Sequence, residues 1–201
     1  MDRLGIVNKT FIKLGQLPIT DLNDKDKRTV SILSIYESVR DTEQAAYRWT
    51  FCTKRTILKP LEVKIPETGE TVEVKPEFGH EATYLLPDDF LRLISIENSG
   101  GANYSIEGRK LLYFKSDSLK VIMLAKQIRE EVFPPAFVEA FSTRLAIELC
   151  EALQQDPSRK QGLLQEYALN LTVARKTDAI QRAHMPVPQG DWLGNRYDFI
   201  G

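Results

Sequence analysis

Histidine and cysteine are scarce in this chain, with two of each among 201 residues. Cys52 and Cys150 lie far apart and have no neighbouring His, a spacing that fits neither a metal-ligand set nor a disulfide framework. They read as buried thiols in a reducing cytoplasm. His80 and His184 do not spell a triad or a metal cage in sequence. A cationic excess is also missing: 27 Lys and Arg against 28 Asp and Glu leave a net charge of -1. That is not the overall balance of a nucleic-acid binder, so any DNA contact is local. No apolar run approaches the ~18 residues of a bilayer-spanning helix. The opening segment mixes acids and amides among its apolar residues, unlike a secretory signal. Neither the P-loop nor the dinucleotide-binding glycine pattern occurs, and Gly100-Gly101 reads as a turn.

What is present is periodicity of two kinds. Ile6, Val7, Phe11 and Leu14 share one side of a short helix that Gly15 closes, with Pro18 in the following turn. From about 24 to 47, Ile32, Ile35, Tyr36, Val39, Ala46 and Tyr47 recur at helical spacing, while Lys25, Lys27, Arg28, Glu37 and Arg40 take the other positions. A helix of that length spans roughly 36 Å, so it either meets another subunit or runs along its own domain. Phe133-Pro134-Pro135 opens a third helix in which Phe137, Phe141, Leu145, Leu149 and Leu153 step by four, widened by Val138 and Ala152. Asp156-Pro157 then stops one helix and caps the next, whose stripe is Leu164, Tyr167, Ala168, Leu171 and Ala174. So short a break makes these two helices antiparallel neighbours.

The middle of the chain alternates with a period of two. Residues 61 to 65 and 71 to 75, joined by Pro66-Glu67-Thr68-Gly69-Glu70, predict a hairpin. An isolated ribbon is marginal in water, so the face made by Leu61, Val63, Ile65, Val72 and Val74 lies on the body or on another chain. Further short strands are predicted at 83–86, 92–97, 104–107, 110–114 and 119–125, separated by Pro, Gly, Asp and Ser turns. Residues 184–201 show no period and predict an extended tail. Its Trp192, Tyr197, Phe199 and Ile200 either fold back on their own subunit or anchor in a partner's groove.

The expectation is an α+β protein: mainly an α-helical bundle with an inserted small antiparallel β region and an extended C-terminal tail. The bundle and insertion form one domain over 1–183, with helices at about 3–15, 24–47, 135–155 and 157–183, and a β-rich insertion at about 50–125. No catalytic constellation, cofactor site or metal site is read from the residues. Asp88-Asp89 and Glu130-Glu131 are carboxylate pairs of the kind a glycoside hydrolase uses, but each also fits helix-start capping or solvent exposure. The basic groups Lys25, Lys27, Arg28 and Arg159, Lys160 read as helix-face or helix-start charges, and they lack the interleaved aromatics of a single-strand binder.

Several segments, taken in order, resemble the head-to-tail adaptors of short-tailed bacteriophages, the family of tail tubular protein A and the portal-attached head-completion adaptors. They are Val7-Asn8 through Leu14-Gly15 with Leu17-Pro18-Ile19 and Leu22; Tyr47-Arg48-Trp49-Thr50-Phe51 with Arg55; Tyr84 through Arg92 with Ile106-Glu107-Gly108; and Phe133-Pro134-Pro135-Ala136-Phe137 with Leu145-Ala146 and Asp178-Ala179. The likeness covers nearly the whole chain, and its specificity lies in the order of the motifs. The hairpin at 61 to 75 departs from the family pattern.

The resemblance implies a virion structural protein at the head-tail junction, made in the host bacterial cytoplasm. Such a protein forms a dodecameric ring beneath the portal protein, binds tail nozzle or tail tube proteins, and lets DNA pass without sequence-specific binding. It implies no membrane partner and no enzyme activity. The partner-binding candidates are Val63, Ile65, Val72 and Val74 of the hairpin and Trp192, Tyr197, Phe199 and Ile200 of the tail. Two alternatives stay open from the residues alone: a virion-associated cell-wall glycoside hydrolase, and a DNA-binding packaging factor.

Overall fold

Local chemistry sets where the helices begin and end. In the computed structural model, which describes residues 1–64, 66, 69–97 and 103–182, helix α1 (Arg3–Lys13) starts where the Asp2 carboxylate accepts from the Gly5 amide at 3.0 Å. It ends in a Schellman turn: the Gly15 amide donates to Ile12 O at 2.9 Å and the Gln16 amide to Phe11 O at 2.8 Å. This closure needs the left-handed backbone that Gly15 supplies, with φ at 69°. Helix α2 spans Lys27–Ala46, α3 Pro135–Leu153 and α4 Pro157–Ile180. Pro135 opens α3 at a position whose missing N–H is no loss. Asp156 caps α4 by accepting from the Ser158 and Arg159 amides at 2.9 and 3.1 Å.

Between α2 and α3 lie, among the described residues, eight strands: β1 (Thr53–Leu58), β2 (Glu62–Lys64), β3 (Thr71–Glu73), β4 (Ala82–Leu85), β5 (Phe90–Ile96), β6 (Ser105–Glu107), β7 (Lys110–Tyr113) and β8 (Leu119–Ala125). They form three antiparallel sheets, ordered β1-β8-β5, β2-β3 and β4-β7-β6. Strand β1 was not predicted. Thr53-Lys54-Arg55-Thr56-Ile57-Leu58 ends in two adjacent apolar residues, so its pattern does not alternate, and only pairing with β8 makes it a strand.

The expectation of a mainly helical bundle is corrected here. The protein is α+β with four helices and three small sheets among the described residues, and the strands build a core of their own. Antiparallel register places Leu58, Leu119, Val121, Leu93 and Ile96 on one face of the β1-β8-β5 sheet. That face packs against Tyr84, Leu111 and Tyr113 of the β4-β7-β6 sheet to close the second core. The buried Tyr84 hydroxyl donates to Phe114 O at 2.9 Å and accepts from the Ser116 amide at 2.8 Å, so its polar end is satisfied.

The first core belongs to the helices. α1, α2 and α4 all pack on α3, which is why α3 is buried nearly all round its middle and why its predicted stripe was too narrow. Ser142 and Thr143 are buried there, their hydroxyls donating to the Val138 and Glu139 carbonyls at 2.7 and 2.8 Å. Rings join the two ends of the strand insertion. Trp49 and Phe51, just before β1, and Phe133, just after β8, meet Phe137 of α3 with centroid separations of 5.1, 4.8 and 5.3 Å.

Two helix faces differ from expectation. On α2, Arg40 is buried rather than solvent-facing, held by Asp41 at 2.9 Å, and Ala46 is exposed. On α4, the inward stripe is Leu163, Tyr167, Leu171, Ala174 and Asp178, while Leu164 and Ala168 face out. Asp178 suits that buried position because Thr50 satisfies it, donating from its amide at 2.8 Å and its hydroxyl at 2.7 Å, and Arg182 pairs with it at 2.6 Å.

Glu43 of α2 is also buried, accepting from the Tyr167 hydroxyl at 2.9 and 2.8 Å, with the Arg144 guanidinium at 3.8 Å. Burial pushes its carboxyl above the usual carboxylate range, an effect that the Tyr167 hydroxyl and the Arg144 and Arg175 guanidiniums only partly offset. Cys52 and Cys150 are free and buried. Burial, with the Asp178 carboxylate adding to it, raises the Cys52 thiol and keeps it protonated.

Two outcomes follow. Phe137→Ala removes the ring shared by both junctions and should lower unfolding free energy by about 3–5 kcal/mol in urea titration. Because the folded state favours uncharged Glu43, its contribution to stability is present at low pH and is lost as pH rises through its raised value. Glu43→Gln should therefore gain stability relative to the parent as pH goes from about 4 to about 8, and parallel urea melts across that range would show a flat difference if the charge were not penalised.

Candidate functional site

Positive features of the surface, rather than a cleft, carry the functional reading. Among the described residues, the β2-β3 ribbon is tied to the body near its root. The Leu61 amide donates to Thr83 O at 2.7 Å and Lys115 pairs with Glu73 at 2.9 Å, while the Val74 amide, donating to Leu61 O at 2.7 Å, closes the ribbon on itself. Beyond that root, Val63 and Val72 sit opposite each other across the strands and are 52% and 48% exposed. The predicted alternation makes this ribbon, but the body does not cover its apolar pair. Val74 is half-buried at the root. Ile65 and the tail candidates Trp192, Tyr197, Phe199 and Ile200 lie outside the described residues. Phe78, in the segment leading to β4, is 85% exposed and was not singled out from sequence.

A second surface runs along the outward side of α4, where Leu169, Val173 and Ile180 are 70%, 56% and 83% exposed. At 100° per residue these three positions fall within about 40° of one another, opposite Leu163, Ala174 and Asp178. The signal was present in the sequence as a second stripe on the same helix. It was missed because Leu164 was assigned to the inward face, which absorbed the period. The C-terminal end of α4 is fixed to the body by the Asp178–Thr50 contacts and by Arg175 and Arg182 stacked on the Tyr47 ring at 5.2 and 4.8 Å.

The carboxylate pairs have structural partners. Asp88 pairs with Arg109, Asp89 with Lys54, and Glu130 with Arg3 at 3.0 Å, while Glu131 is exposed. Glu130 is only 8% exposed, against the expectation of a capping or solvent-facing residue, because the Arg3 guanidinium compensates its charge. Three of the basic groups are likewise engaged. Arg28 pairs with Asp26 and donates to Leu17 O at 3.0 Å, Arg159 donates to Lys13 O, and Lys160 pairs with Glu151 at 2.9 Å. Among the described residues no group of three or more His, Cys, Asp or Glu is placed to hold a metal ion, and no helix is long and apolar enough to cross a membrane.

No family model matches the chain, and no curated protein matches it.

Because Val63 and Val72 make little contact with the body, Val63→Lys should change unfolding free energy by less than about 0.5 kcal/mol. A larger loss in thermal or urea melts would mean that the ribbon packs on its own subunit.

Proposed function

We propose that the protein is a virion structural component, the head-to-tail adaptor that joins portal and tail in a short-tailed bacteriophage. Copies form a ring beneath the portal protein, dodecameric by resemblance, that continues the DNA channel. The helices make the wall of the ring, the strand region meets tail nozzle or tail tube components, and the aromatic tail segment clasps the portal.

One observation carries this reading: each subunit bears two unlike apolar patches on separate elements, the α4 stripe and the β2-β3 ribbon. Isologous dimers need only one self-complementary patch. Head-to-tail rings need two different surfaces per subunit. The ordered motifs are consistent with it, since the Trp49-x-Phe51 and Phe133-Pro134-Pro135-x-Phe137 segments meet in one aromatic cluster. A near-neutral net charge suits a channel through which DNA slides, because dense phosphate contacts would add a large salt-dependent binding term.

Mixing the purified chain with portal rings and measuring the mass of the product tests the proposal. Addition of a ring of copies is expected over a range of salt, and persistent monomer alongside unmodified portal would overturn it. The double substitution Leu169→Glu with Val173→Glu should abolish ring addition while leaving the melting transition near that of the parent, because both side chains are exposed in the free subunit.

A further inference from the structure

The outward face of the β1-β8-β5 sheet is only half covered. Register sets its side chains in rows across the strands: Thr53, Leu124 and Arg92, then Arg55, Ile122 and Ser95, then Ile57 beside Lys120. Helices cover the Leu124 end, which joins the helical core. The remaining rows line an open depression of about 580 Å³ with Ile57, 57% exposed, and Ile122 at its floor. Lys120 pairs with Glu97 at 3.2 Å, but Arg55 has no ion-pair partner among the described residues. An apolar trough with an unpaired cation at its edge is a binding surface for an apolar segment that carries a carboxylate.

The chain itself supplies such a segment, and α4 ends at the place from which it can reach. Arg182 donates to Arg48 O and Asp178 holds Thr50, so the last described residues sit three to five positions before β1 begins. From Thr53 to Ile57 the trough runs about 13 Å along β1. The ten residues from Arg182 to Trp192 can span about 30 Å when extended, more than the distance required. Asp191-Trp192-Leu193 then offers one carboxylate followed by two large apolar side chains.

We infer that in the free subunit the C-terminal segment docks in cis on this sheet face, with Trp192 and Leu193 against Ile57 and Ile122 and Asp191 opposite Arg55. Tethering makes the contact intramolecular, so a small surface is enough to hold it. The inference concerns the unassembled chain and does not depend on the adaptor reading.

The test uses full-length protein and the fluorescence of Trp192, taken as the difference between the parent and Trp192→Phe so that buried Trp49 cancels. Acrylamide should quench Trp192 several-fold less than it quenches a synthetic peptide of residues 183–201, and equally at all protein concentrations. Ile57→Asp should raise quenching to the peptide's level, and as an exposed site it leaves the fold intact. Arg55→Glu and Asp191→Arg should each weaken the protection, and together they should restore it. Peptide-like quenching in the parent overturns the inference, as does protection indifferent to all three substitutions. Protection that grows with concentration overturns the cis assignment in favour of a second copy.

Discussion

The structure depends on one aromatic contact, where the strand insertion leaves the helices and where it returns. Trp49 and Phe51 stand before β1, Phe133 stands after β8, and all three pack on Phe137. Roughly eighty residues of intervening chain, from Cys52 to Val132, would otherwise cost loop-closure entropy with nothing fixing the two ends together. Edge-to-face rings contribute more than their buried area alone, and the Trp49 indole N–H is satisfied by Glu43 O at 2.8 Å. With the two ends stapled, the start of β1 lies beside the end of β8, Thr53 opposite Leu124, and their antiparallel pairing follows.

That staple explains why the molecule has two cores instead of one. The sheet that grows from it turns its far face away from the helices and must find other cover, which the β4-β7-β6 sheet provides. Its near face is covered only as far as the helices reach, leaving the Ile57–Ile122 trough open. The same crossing receives the end of α4 through Asp178 and Thr50. Fixing α4 at both ends, by Arg159 donating to Lys13 O and by Asp178, holds the Leu169–Val173–Ile180 stripe outward as a rigid surface. The apolar groups left in solvent are thus positioned by the core.

Much of the architecture was legible because it rests on local chemistry. The Asp156-Pro157 break, the Gly15 closure and the four-residue step of α3 each act within a turn or two of chain, so sequence shows them. The alternation at 61 to 75 likewise marked the β2-β3 ribbon. β1 was not legible, since Thr53–Leu58 has no period of its own and is a strand only beside β8. The inward face of α4 was misassigned by one residue, from Leu163 to Leu164, because Asp178 looks polar and outward until Thr50 is seen to satisfy it. Of the candidate surfaces, Val63 and Val72 were read in advance, whereas the α4 stripe and the sheet trough were not.

By itself, then, the sequence determined the helices, the Gly15 and Asp156 caps, the ribbon and the near-neutral charge, because propensity, capping and alternation need no distant partner. Tertiary structure alone decided that the strands form a second core, that Arg40, Glu43, Glu130 and Asp178 lie inside, and which apolar side chains stay in water. The physical reason is that burial is a property of neighbours. A charged residue goes inside when another part of the chain brings its counterpart, and an apolar one stays outside when no other part of the chain reaches it.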